Sequence, residues 1–327
     1  MAHNISTTSG KPAIMYTGEV PWHRLGTKLD QPATAVEAIA AAGLNYFVDL
    51  KSLKTTDGSD VSTRKATVRR DTNDVLGIVG NWYVPVQNFQ AFGFLDAIVA
   101  NGGLRYHTAG ALGKGEKVWM LAKLPGHIRV NNSEDIVDKF LLLSNAHDGS
   151  ATLRVYFTPI RVVCQNTLNL ADRQSVGKGI AIMHKGDLHT KIQHAQRVLG
   201  LADEFYSDAE TKINILADHL PTKAQLKQYF EKVYPDPEDA DNSRVWKVRE
   251  KLNNIFETGV GLDMPGVQGT TWAAFNAVTE WVDHHCPTRS TNSIERASRR
   301  LNSSWFGAGA KIKARAWDLA LEMAMAV

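Results

Sequence analysis

Apolar residues recur at Ile192, Ala195, Leu199, Ala202, Tyr206, Ala209, Ile213, Leu216 and Leu220, in alternating steps of three and four. Only a helix puts such positions on one side, so the spacing predicts a helix over 190–220 with a heptad stripe. At about 1.5 Å rise per residue it is roughly 45 Å long, more than a compact domain of this size usually needs. It therefore bridges or braces something. Two packings fit the stripe: against the helix's own subunit, or against a neighbouring subunit, where the three alanines permit close approach but bury little.

Upstream, the pattern switches between periods. The alanine-rich segment 33–43 closes on Gly43 and reads as a short helix with its stop. Segments 45–54, 63–71 and 74–86 are rich in β-branched and aromatic residues and are separated by Asp57-Gly58 and Asn73-Asp74, which predicts a three-stranded meander. In its middle strand, alternation puts Arg64 and Arg70 on one face and Lys65 and Arg69 on the other. Phe89, Phe92, Leu95, Ile98 and Val99 predict an amphipathic helix over 87–101, ended by Gly102-Gly103. Strand-like segments follow at 104–109, 117–124, 140–145, 153–163 and 179–184. Beyond them the signals are helical. The long helix stops at Pro221, Thr222 caps 223–233, and 234–241 is an acidic linker broken by prolines. Four more helices are expected at 243–257, 270–285, 291–302 and 308–326. The expected fold class is α+β: a largely antiparallel sheet with helices over 1–186, then a helical domain over 187–327 built on the long helix.

With 327 residues at 43% hydrophobic, the chain can bury a large core and has room for two domains. No apolar run approaches the roughly 20 residues that cross a bilayer, and residues 1–10 are polar where a signal peptide would be apolar. The expected location is the host-cell cytoplasm. Cys164 and Cys286 are too few for a disulfide framework and lack zinc spacing, so both are expected to be reduced. The net charge of +3 decides little, and an argument for nucleic acid has to come from where charges cluster.

The densest cluster lies near the C-terminus, where Arg289, Arg296, Arg299, Arg300, Lys311, Lys313 and Arg315 face a single acid, Glu295. Between the two basic helices runs Ser303-Ser304-Trp305-Phe306-Gly307-Ala308-Gly309. Free amides at a helix start can seat a phosphate, and Trp305 can stack on a base. A tight helix corner with a solvated basic face is the competing reading. Without the Gly-Lys-Ser/Thr ending of a nucleotide-binding loop, ATP is not expected. Arg154 and Arg161 set basic residues within sheet-like surroundings. Trp22-His23-Arg24 can stack on a base or hold a phosphate; in the competing reading Trp22 is a structural plug and Arg24 satisfies carbonyls. Glu280 and His284 stand one turn apart, but catalytic metal sites generally need three protein ligands and no further pair accompanies them. His284-His285-Cys286 and the loose group His184, Asp187 and His189 share that weakness. Nucleophile elbow, dinucleotide fingerprint and Cys/His dyad are all missing, so no catalytic residue, metal or cofactor is expected.

Several runs are familiar together: Pro21-Trp22-His23-Arg24-Leu25-Gly26-Thr27, Arg161-Val162-Val163-Cys164-Gln165-Asn166-Thr167-Leu168, the stretch from Gly269-Thr270-Thr271-Trp272 to Val278-Thr279-Glu280, and Trp305-Phe306-Gly307. They resemble a phage/plasmid-like protein family that carries a domain of unknown function and occurs in bacteriophages, prophages and plasmids. The likeness covers nearly the whole chain. It implies a mobile-element setting and no particular activity. Basic α+β proteins that form rings and anneal single strands are common in that setting, and by that analogy the expectation is a single-stranded DNA-binding, strand-annealing homo-oligomer. Arg64, Arg70, Arg154, Arg161, Arg296, Arg299, Arg300, Lys311, Lys313 and Arg315 would neutralise phosphates and Trp305 would stack bases. An assembly or regulatory protein acting through protein contacts alone, and a hydrolase whose polar residues converge only in the fold, are the competing expectations.

Overall fold

The structure, a computed structural model, describes residues 6, 13–17, 26–30, 34–99, 105–151, 153–161, 166–167, 180–181, 188–237, 243–287, 299–300, 302–305 and 307–326. The chain opens with β1 (Ile14–Thr17), β2 (Thr27–Leu29) and helix α1 (Ala35–Ala41). Thr34 and Glu37 cap α1 reciprocally, and Gly43, at φ 64°, takes the left-handed turn that follows it. The expected meander is present as β3 (Val48–Lys54), β4 (Asp60–Arg69) and β5 (Val75–Gly80), antiparallel and in that order. Helix α2 (Asn88–Val99) leads into β6 (Arg105–Leu112), β7 (Lys117–Arg129) and β8 (Ile136–Ala146). These three are the centre of a second sheet. Strand β1 lies antiparallel beside β6, with β2 parallel outside it. On the far side β9 (Arg154–Phe157) and β10 (Ile160–Arg161) both pair with β8, and β11 (Asn166–Thr167) and β12 (Ile180–Ala181) extend them.

Helices follow: α3 (Leu188–Asp218), α4 (Lys223–Val233), α5 (Ser243–Thr258), α6 (Thr271–Glu280) with a π-helical turn at Trp281–His285, and α7 (Ala308–Met325). The architecture is α+β, antiparallel strands first and helices afterwards. The long helix is real, and the described part of its stripe faces its own chain. Ala202, Tyr206, Ala209, Ile213 and Leu216 are all buried, with α3 packed on α2, α6, α7 and β7. The side chains of Ile192, Ala195 and Leu199 lie outside the described residues, while Leu220 is beyond the helix end and exposed. Tyr206 pins the helix to the sheet: its hydroxyl accepts from the Phe140 amide at 2.9 Å and donates to the Phe140 carbonyl at 2.6 Å.

Helix α6 is wholly enclosed, with every residue from Thr271 to Glu280 buried. Its periodicity sets a polar face opposite the Trp272 stripe. That face exists, but it is buried and turns back on the helix: Asn276 Nδ2 donates to the Trp272 carbonyl and Thr279 Oγ1 to the Asn276 carbonyl, both at 2.9 Å. The larger of two hydrophobic clusters among the described residues joins Met120 and Leu141 of the sheet with Ile213, Trp272 and Trp317 of the helices. Trp272 also donates from Nε1 to buried Asp135 before β8, at 2.9 Å.

The three-stranded sheet is riveted to this body by one face. The Arg69 guanidinium lies 3.9 Å from the Tyr46 ring centroid, forks onto Asp71 and donates to the Lys114 carbonyl, while Tyr46 donates to the Gly115 carbonyl. Under β5, a side chain at Gly77 would come within 2.5 Å of the Asp148 Cα, so only glycine lets the sheet sit down. Thr67, Arg69 and Val79 face inward. On the opposite face Lys51, Arg64 and Ile78 are exposed around Ala66 and Val68 of the middle strand, which are buried.

Candidate nucleic-acid interface

The C-terminal basic cluster is largely absorbed by the fold. Lys313, expected to contact phosphate, is fully buried in an ion pair with Asp283 at 2.8 Å. Burial pulls its ammonium below the usual lysine value while Asp283 pushes back. Its charge is committed to a structural pair, which removes it from the contact set. Arg315 donates to the Val233 carbonyl, and half-buried Arg300 donates to the Cys286 carbonyl at 3.2 Å. Arg299 is half-buried beside it, Lys311 is exposed in the first turn of α7, and Arg296 lies outside the described residues.

The glycine turn is not an open phosphate seat either. The Gly309 amide donates to Ser303 Oγ at 3.1 Å, and a side chain at Gly309 would meet Val282 at 2.8 Å, so the helix start is packed shut. Trp305 is half-buried, edge-on to Trp119 with centroids 4.8 Å apart, against the sheet face built from Trp119, Leu121, Phe140 and Leu142. An indole held there packs the second face of the sheet and is no free platform. The corner reading accounts for this turn. Trp22, Cys164, His184 and Asp187 lie outside the described residues, as does the side chain of His189.

At the end of α6 the backbone widens to π-helical spacing, which changes the partner of Glu280. A π turn aligns residues five apart, and Glu280 Oε1 meets His285 Nε2 at 3.3 Å in place of His284. Its other oxygen accepts the Val260 amide at 3.0 Å. Among the described residues no group of three or more side chains is arranged to hold a metal ion.

What remains partly exposed is the outer face of the three-stranded sheet. Lys51 pairs in register with Ala66, and Ala66 with Ile78, so Lys51, Arg64 and Ile78 share one face by alternation. All three are exposed. Arg64 sits opposite Gly80, where β5 ends; the Tyr83 amide closes a turn onto the Gly80 carbonyl, and Trp82 stands in that turn 94% exposed. Arg70 closes the other end, forked onto Asp49 and 5.1 Å from the Phe47 ring, which in turn lies 5.8 Å from Phe89. Arg70 thus has its charge matched by a carboxylate. Among the described residues Lys51 donates to the neutral Asn73 side chain, at 3.1 Å, and Arg64 is exposed beside the turn. Arg154, on β9, is half-buried, and Arg161 is paired opposite Val137 with its side chain outside the described residues.

Trp82 was missed because 74–86 reads as one strand, which hides it within an alternation. The Gly80-Asn81 step inside that run was the available signal, since such a pair breaks a strand. Trp246 on α5 is likewise exposed, between Arg244 and Lys247.

Fold and surface together define an α+β protein whose small sheet presents a basic and aromatic face to solvent. The chain belongs to the family described as Domain of unknown function (DUF932), whose model matches residues 75–305. Comparison with curated proteins and with solved structures finds no significant match in either. No helix among the described residues is long and apolar enough to cross a membrane.

Proposed function

We propose that this chain binds single-stranded DNA on the outer face of the β3–β5 sheet and anneals complementary strands as a homo-oligomer, in the phage or plasmid setting its sequence resemblance implies. The observation that carries the reading is Trp82, an indole almost wholly in water at the end of a sheet face bearing Arg64 and Lys51. So exposed an indole gains nothing from folding and keeps its apolar face available to a partner, and a nucleobase is a flat partner that every sequence supplies. Cations beside it neutralise the phosphates that come with the base. Annealing needs no bond-breaking step, in keeping with the absence of a catalytic motif from the sequence. A second reading is favoured by Val75, Ile78 and Val84, exposed along β5 and just beyond the tryptophan: contact with another protein in an assembly or regulatory role.

Fluorescence anisotropy with single-stranded oligonucleotides across a salt series separates the two. Trp82→Ala is expected to cost about 1–3 kcal/mol of affinity at an unchanged melting temperature. Arg64→Ala and Lys51→Ala are each expected to lower the salt slope by about 0.7. Trp305→Ala is the control, expected to melt early and bind normally. No binding by the wild type at low salt refutes the strand-binding reading and leaves the protein-contact one.

A further inference from the structure

Strand β5 pairs with β4 on one side and, among the described residues, with no strand on the other. Half of its backbone N–H and C=O groups therefore point out of the sheet as a template for another strand. The opposite edge is protected. Asp49, Lys51 and Lys54 set charges along β3, and the Gln87 side-chain amide occupies both the N–H and the C=O of Val48 at 2.9 Å each. Strand β5 has neither device. Val75–Gly80 reads Val-Leu-Gly-Ile-Val-Gly, without a charge or a proline, and Val75 and Ile78 stand 53% and 60% exposed on it. Such a segment on an open edge favours strand pairing.

We propose that β5 pairs antiparallel with β5 of a second copy of this chain, fusing two three-stranded sheets into one of six strands. A two-fold axis normal to the sheet brings two uncharged strands together, so no like charges meet. Val75 and Ile78 of the two copies then cover one another. The same axis keeps both outer faces on one side, so Lys51 and Arg64 of each copy line a single, doubled surface. That last consequence rests on the strand-binding reading above; the pairing itself does not.

Sedimentation equilibrium of the full chain without nucleic acid is expected to show a dimer at micromolar concentration. Val75→Lys with Ile78→Lys, both at exposed positions, is expected to weaken association about tenfold or more by placing like charges across the axis, with an unchanged melting temperature. Hydrogen exchange locates the contact: outward amides of Val75–Gly80 are protected in the dimer and lose protection on dilution or in the double variant. A monomeric wild type, freely exchanging β5 amides in a dimer, or association indifferent to the two lysines overturns the pairing. Anisotropy on the same samples tests the strand-binding reading separately. A dimer protected at β5 that has no affinity for oligonucleotides supports the pairing and overturns only that reading; if both hold, the monomeric variant covers half the site size.

Discussion

Lys313 carries an ammonium into the helical interior and donates to the Asp283 carboxylate at 2.8 Å. Such a pair is costly to break from one side, because the remaining charge is left buried and uncompensated. Lys313→Ala is therefore expected to lose about 3–5 kcal/mol in chemical denaturation, while Lys313→Met with Asp283→Leu recovers most of it. A single variant that keeps its stability and loses salt-dependent DNA binding would return Lys313 to the contact set. His147 is the second buried ionisable group with a consequence. Asn88 donates from Nδ2 to the Leu44 carbonyl, which turns its Oδ1 toward His147 Nε2 at 2.9 Å, so that nitrogen carries the proton. The other ring nitrogen is buried with no partner among the described residues. Burial lowers the imidazole pKa from 6.5 to about 4. Between those values the unfolded chain takes up a proton that the folded chain refuses, so stability is complete above the upper value and falls as pH drops toward the lower. The loss at this site amounts to about 3 kcal/mol across the window. It is read as the difference between the wild-type and His147→Asn stability curves, and parallel curves would show that the site is not buried in solution.

Helix α3 shows why periodicity identifies an element without naming its neighbour. Its stripe from Ala202 to Leu216 is buried by α2, α6, α7 and β7 of the same chain. The heptad spacing describes a face, and a face packs equally well on any complementary surface. Ile213→Asp consequently buries an unpaired carboxylate and is expected to unfold the chain, a loss of about 4 kcal/mol or more, read by circular dichroism. If the Ile213→Asp variant instead stays folded as a monomer, the stripe packs between subunits. In α6 the periodicity sets Asn276 and Glu280 opposite the Trp272 stripe, and packing buries both sides of the helix. The π turn then brings Glu280 to His285, five residues on.

For the molecule as a whole, the larger hydrophobic cluster spans sheet and helices, so the outer face of the β3–β5 sheet stands on a rigid support. The succession of strands then helices, the meander, the long helix, the Thr222 cap and the break at Pro221 were all legible in the sequence, because each depends on local periodicity or on the chemistry of a few neighbouring residues. Which basic residues stay in water was not legible. Arg64 and Lys313 look alike as letters, and only long-range packing sends one to an exposed strand position and the other to Asp283, thirty residues back along the chain. Trp305 was misplaced for the same reason: a glycine-flanked turn suggests exposure, but the second face of the large sheet needed covering and Trp305 covers it. Sequence by itself thus determined the kinds of elements and their order. Tertiary structure alone decided which faces meet, because burial is a property of surfaces brought together from distant segments, and no local pattern records the partner.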